Sequence, residues 1–198
     1  MYKITTALAF MLVTQSVFAA AWQLDGSTST LNFSSSKTTS NSSTPIVEEN
    51  KFDQVTGTID EKGNATITVD LNSVDTRVPL RDTRLKEQVF DTKTYPTATF
   101  TTKLDMNEIA KYEDKQVHTI PLEGTLNLHG TQHTIKTQVA MQELDAKTIQ
   151  VKNTAPVVVD TSQFNMQDGV SALQALMALQ SINSEIPVTF TYVFKEVD

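Results

Sequence analysis

Three histidines, His118, His129 and His133, are the first residues to test for chemistry. His129 and His133 are four apart, a spacing that suits zinc when both rings lie on one face of a helix. Gly130 between them, with apolar and polar residues alternating on either side, places the pair across a hairpin turn instead, where solvated turn histidines are expected and no metal site is. Carboxylates are more numerous, but Asp60-Glu61, Glu113-Asp114 and Glu143 with Asp145 sit at turn-like positions. Glycoside hydrolysis needs two carboxyls facing each other across roughly 5 to 9 Å, and no spacing here points to such a dyad. There is no GxSxG elbow and no phosphate-cradling loop, and the chain has only six glycines. It has no cysteine, which removes disulfides and thiolate chemistry together. No catalytic residue and no catalytic cofactor are therefore expected.

One charged island stands out. Arg77, Arg81, Arg84 and Lys86 face a single acid, Asp82, within ten residues of a chain whose net charge is −7. One reading is solvated charge, or weak structural pairing with Asp82 and Asp91. The other is contact between one or more of these cations and the polar or anionic head group of a ligand. The acidic balance of the whole chain excludes nucleic acid as a partner.

The elements that must position these residues are mostly strands. Residues 1–19 carry Lys3, an apolar run and then small residues, the pattern of a secretory signal peptide, with cleavage expected after Ala19 or Ala21. The run is too short and too polar for a membrane-spanning helix. Residues 20–198 then form one domain with a sizeable core. Lys37–Thr44 is a polar, Ser/Thr-rich link with a turn at Asn41. Glu61-Lys62-Gly63-Asn64 is a hairpin signal, and the strand after it puts Ala65, Ile67, Val69 and Leu71 on one face. The same period of two recurs in Ala98, Phe100, Thr102 and Leu104, and in Ile120, Leu122, Leu126 and Leu128. It recurs again in His133, Ile135, Thr137 and Val139, and in Val188, Phe190, Tyr192 and Phe194. Pro156 marks an edge or a bulge in a β-rich run from Ile149 to Val159.

Eight or nine strands with short turns give an all-β barrel or sandwich. Two short helices interrupt them. One lies in the basic island before the Tyr95-Pro96 turn, and the other spans Gly169 to Ile182, with Leu173, Leu176, Met177 and Leu179 around an Ala-rich centre. Both plug barrel ends, or one of them is a lid. A barrel of this size either fills its interior with side chains or holds one small ligand.

The order Arg81-Asp82-x-x-Leu85, Phe90-Asp91, Tyr95-Pro96 and Phe100, followed by Gly124-x-Leu126-x-Leu128-x-Gly130 and Ile135, resembles the YceI-like, polyisoprenoid-binding family from Trp22 to Phe194. The resemblance implies a lipocalin-like, extended eight-stranded antiparallel β-barrel in the bacterial periplasm. Its tunnel would hold an isoprenoid lipid, a polyprenyl chain or a ubiquinone-type quinone, with no catalytic residue. Arg84, Val89, Thr134 and Asn165 depart from the common pattern of the family; the changes at Arg84 and Val89 lie in the block nearest the mouth and bear on ligand identity more than on fold.

Inward candidates for such a lipid are Val69, Leu71, Phe100, Leu122, Leu126, Leu128, Phe190 and Tyr192 from the strands, with Leu85, Phe90, Leu176 and Met177 from the helices. Arg81, Arg84 and Tyr95 are the candidates at the mouth. A transient membrane contact and a homodimer are compatible with this reading. The rival readings are a structural or interaction protein with a filled barrel, and a hydrolase acting on a lipid or sugar.

Overall fold

The protein was analysed as a computed structural model that describes residues 21–112 and 115–197. The expected signal peptide therefore lies outside the described residues, as does the pair Glu113-Asp114.

Eight antiparallel staves follow one another around a closed barrel in chain order. Several are broken by a short irregular step into two strands. The first stave is β1 (Ala21–Leu24) with β2 (Thr30–Thr39), and the second is β3 (Ser42–Phe52) with β4 (Val55–Ile59). The third is β5 (Asn64–Asp70) with β6 (Val74–Asp75), the fourth β7 (Thr97–Lys103), the fifth β8 (Val117–Leu128) and the sixth β9 (Thr131–Asp145). The seventh joins β10 (Thr148–Asn153) to β11 (Val157–Asp160), with Pro156 at the break; the eighth joins β12 (Leu179–Ile182) to β13 (Glu185–Val197). Closure comes from β13, which pairs with β1 through Leu24↔Phe194 and with β2 through Leu31↔Phe190. No unpaired edge is left along that seam, which a barrel achieves and an open sheet cannot.

The register obeys the alternation of the sequence. Ile67 lies opposite Phe100, Phe100 opposite Leu126, and Val151 opposite Tyr192, so the apolar faces of neighbouring staves meet inside. Hairpin chemistry sets that register. The β8–β9 turn is the two residues His129 and Gly130, both at positive φ (51° and 73°), the geometry that matches the twist of the flanking strands. A side chain at Gly130 would also come within 2.9 Å of the Tyr95 ring, so this position is confined twice over.

Both sequence-predicted helices lie at the same end of the barrel, here called the top. α1 (Pro79–Arg84) begins on a proline, which costs no hydrogen bond there. It widens into a π-type turn over Leu85–Val89, where the Phe90 N–H reaches the Leu85 carbonyl at 2.9 Å. α3 (Gln167–Leu176) packs against that turn at Gly169, where a Cβ would sit 3.0 Å from Val89 Cα. The bottom carries a smaller helix that the sequence reading did not anticipate, α2 (Met106–Ile109), capped by the Asp105 carboxylate.

Two expectations are corrected here. Lys37–Thr44 is not a link: β2 runs through Thr39 and β3 starts at Ser42, leaving only Ser40 and Asn41 as the turn. Its hydroxyl-bearing residues tolerate strand geometry once a neighbour supplies pairing, and β12 does so. The second helix does not continue to Ile182 either. It ends at Leu176, and Leu179–Ile182 turns into strand against β2, so tertiary pairing overrides the helical propensity of that Ala/Leu-rich run.

Candidate functional site

The staves enclose a cavity of about 720 Å³, within the size range of small-ligand sites. It runs from the helices at the top to α2 at the bottom. Its wall is overwhelmingly apolar because every stave turns its period-two apolar face inward. A filled barrel would leave space for a few waters, so the cavity counts against that rival.

Of the sequence-predicted residues, Val69, Leu71, Phe100, Leu122, Leu126, Leu128, Phe190 and Tyr192 lie on the cavity wall, as do Leu85, Phe90 and Met177 at the top. Phe190 and Tyr192 stack at 4.6 Å, and burial pushes the Tyr192 hydroxyl well above the ordinary range for its pKa, so it stays neutral. Arg81 also reaches the wall.

Three candidates do not. Leu176 is 56% exposed on the outer face of α3, because Val170, Leu173 and Met177 take the inward positions of that helix. Arg84 is absent from the lining as well. Tyr95 packs outside the wall against the β8–β9 turn, with its ring centroid 4.4 Å from that of His129. The turn histidines are more enclosed than expected: His129 Nδ1 is buried, and His133 Nε2 lies 2.8 Å from the Gln163 carbonyl with its ring edge against Phe164.

The top of the cavity carries a polar collar that strand alternation did not reveal. Glu48 on β3 holds two cations on one carboxylate oxygen: Lys37 Nζ and Arg81 Nη1 each donate to Oε2 at 2.6 Å. Arg81 Nη2 donates to the Thr76 carbonyl at 2.7 Å. Asp82 turns away from the arginines and accepts from the Thr76 N–H at 2.8 Å and from its hydroxyl at 2.5 Å. The expected pairing of the basic island with Asp82 and Asp91 is therefore replaced, for Arg81, by Glu48, which lies 33 residues earlier. Burial works against ionisation of Glu48, but the hydrogen bonds and charges of Arg81 and Lys37 together outweigh it and hold the carboxyl below its ordinary range.

Asn50, 5% exposed, completes the collar. Its Nδ2 donates to Ser35 Oγ and to the Glu48 carbonyl, each at 3.1 Å. Lys37, Glu48, Asn50, Thr76 and Arg81 all line the cavity. At the opposite end the lining includes Trp22, Leu104, Met106, Ile109 and Met141, with Thr102, Tyr112 and Glu143 as polar members.

The chain matches the YceI-like domain family over residues 22–194. It belongs to the YceI-like family. Among solved structures, a polyisoprenoid-binding domain from Saccharophagus degradans, implicated in plant cell wall breakdown, is 32% identical. That match covers 90% of this chain and 100% of that one, with a TM-score of 0.84. Burkholderia cenocepacia BcnA is similar at 20% identity, covering 86% of this chain and 98% of its own, with a TM-score of 0.62. A Campylobacter jejuni YceI protein is similar at 21% identity, over 75% and 84% of the two chains, with a TM-score of 0.54. The last two speak to the fold alone. Comparison with curated proteins finds no match.

Within this YceI-like barrel, sequence reasoning missed Lys37, Glu48 and Asn50. The only signal was a polar residue where the inward face of a strand should be apolar: Glu48 and Asn50 are two apart on β3, in phase with Phe52, which also lines the cavity.

Proposed function

We propose that this chain is an exported, periplasmic binding and carrier protein for a long isoprenoid lipid, a polyprenyl chain or an isoprenoid quinone, and that it acts by binding rather than by catalysis. The observation that carries the reading is the apolar cavity running the height of the barrel. An isoprenoid tail offers many carbons and no hydrogen-bonding group, so a dry shaft lined by Val69, Phe100, Leu122, Leu126 and Phe190 takes it up through burial alone. Each methylene-sized unit contributes roughly 0.8 kcal/mol, from which the cost of ordering the chain is subtracted. The relative from S. degradans, described as polyisoprenoid-binding, supports the lipid class. The N-terminal leader pattern supports export.

The test is organic extraction of the protein purified from its own host envelope, followed by mass spectrometry. The expected result is an isoprenoid lipid in near-stoichiometric amount. A folded protein that carries no lipid and takes up none when polyprenol or quinone is added would reject the proposal. Fractionation of the same cells gives the second readout, with the processed chain expected in the periplasmic fraction and not in the cytosol.

A further inference from the structure

The collar holds two buried polar atoms without hydrogen-bond partners: Asn50 Oδ1 and Arg81 Nε. A buried donor or acceptor left unpaired keeps the full cost of its lost hydration, so each calls for a partner. The orientation of the Asn50 amide follows from its neighbours. The Glu48 carbonyl it contacts can only accept, so Nδ2 faces that carbonyl and the oxygen is left over. Arg81 is likewise held in place, since Nη1 donates to Glu48 and Nη2 to the Thr76 carbonyl. Both residues line the cavity, Asn50 donating to the Glu48 backbone carbonyl and Arg81 to the Glu48 carboxylate, so the unpaired acceptor and the unpaired donor flank the same residue at one end of an apolar shaft.

We infer that the collar selects the head group of the lipid, and that it takes a neutral group able both to donate and to accept a hydrogen bond, a hydroxyl or a primary amide, in preference to a diphosphate. The inference rests on the carrier reading and narrows it. A hydroxyl donates to Asn50 Oδ1 and accepts from Arg81 Nε. A diphosphate at neutral pH offers only acceptors, which leaves Asn50 Oδ1 facing further lone pairs. Lys37 and Arg81 share the single Glu48 carboxylate and leave the cluster one positive charge in excess, so the preference rests on the unpaired Asn50 acceptor and not on charge. An oxidised quinone shares that defect, and its reduced, dihydroxy form does not. A site built around paired polar groups rejects the analogue that leaves one of them unpaired more strongly than an apolar pocket rejects a change of size.

The experiment uses the full mature chain, stripped of lipid, with binding measured by equilibrium dialysis against three probes. These are geranylgeraniol, geranylgeranyl diphosphate and the head-less hydrocarbon of the same skeleton. The alcohol is expected to bind about tenfold more tightly than either of the others. Arg81→Lys keeps the charge facing Glu48 but removes Nε, and Asn50→Leu removes the acceptor. In each variant that remains folded by circular dichroism, the preference for the alcohol over the hydrocarbon should collapse to within about twofold. The comparison in the unmutated protein decides the matter even if both variants unfold. Diphosphate binding as tight as that of the alcohol, or tighter, overturns the head-group inference and leaves the carrier reading standing. Failure of all three probes to bind overturns both.

Discussion

The two ends of the barrel are built on opposite principles. At the top, α1, the Leu85–Val89 turn and α3 pack over the staves, Phe164 and Met166 are almost wholly buried, and the cavity meets Lys37, Glu48, Asn50 and Arg81. At the bottom, among the described residues, the four-residue α2 and the turn Ala110–Tyr112 close the wall, and Leu104, Met106 and Ile109 are partly buried. The difference gives the shaft a direction. An amphipathic chain gains most when its polar end reaches the collar and its tail runs down to α2, since among the described cavity-lining residues the buried polar atoms without partners, Asn50 Oδ1 and Arg81 Nε, are both at the collar.

The largest expected effect comes from erasing the contrast between shaft and collar. Leu122→Glu puts a carboxylate on the apolar wall well below the collar, and retained lipid should fall by at least about tenfold in extraction assays, because a buried unpaired charge is expensive. Next is the contrast in packing. Phe164→Ala, at a site only 1% exposed, should cost about 3–5 kcal/mol in denaturant unfolding. Leu104→Ala at the bottom, where the side chain is only partly buried, should cost clearly less, and equal losses at the two sites would contradict the asymmetry.

A smaller effect concerns pH. Glu48 is held below its ordinary range, so its contribution to stability is fully present above the ordinary carboxylate pKa and is lost as pH falls through its lowered folded value. Glu48→Gln should therefore lower stability near neutrality and flatten the acid limb of the unfolding profile. A limb of unchanged slope would mean that the collar does not depend on that charge. The smallest effect is expected for Tyr192→Phe. This hydroxyl lies on the wall formed by β13, away from the collar residues, so preference among head groups should stay within about twofold, and a larger change would move the head-group site.

Much of the shaft was legible in the sequence and little of the collar was. Period-two alternation assigned Val69, Phe100, Leu126 and Phe190 to the inner face, because a strand side chain has only two directions to choose from. Gly63 and Gly130 marked hairpins because positive φ favours glycine. The collar depends on contacts no local pattern encodes: Arg81 meets Glu48 across 33 residues, through the β2–β3 hairpin that folds against α1. Lys37 sat in a segment whose composition suggested a loop, and only pairing with β3 and β12 makes it strand. On α3, an Ala/Leu-rich run offered more apolar positions than one face can bury, so Leu176 could not be told from Leu173 by spacing alone. Arg84 and Tyr95 belong to the family-like block, yet that block records turn packing as well as cavity lining, as the contact of Tyr95 with His129 shows.

The central claim, a directional shaft for an isoprenoid lipid, is tested most directly by a crystal structure of the protein loaded with a long polyprenol. Continuous ligand density should run from Asn50 and Arg81 down to Leu104 and Met106, with the hydroxyl at the collar. Density lying outside the barrel, or a hydroxyl placed at the α2 end, would contradict the account.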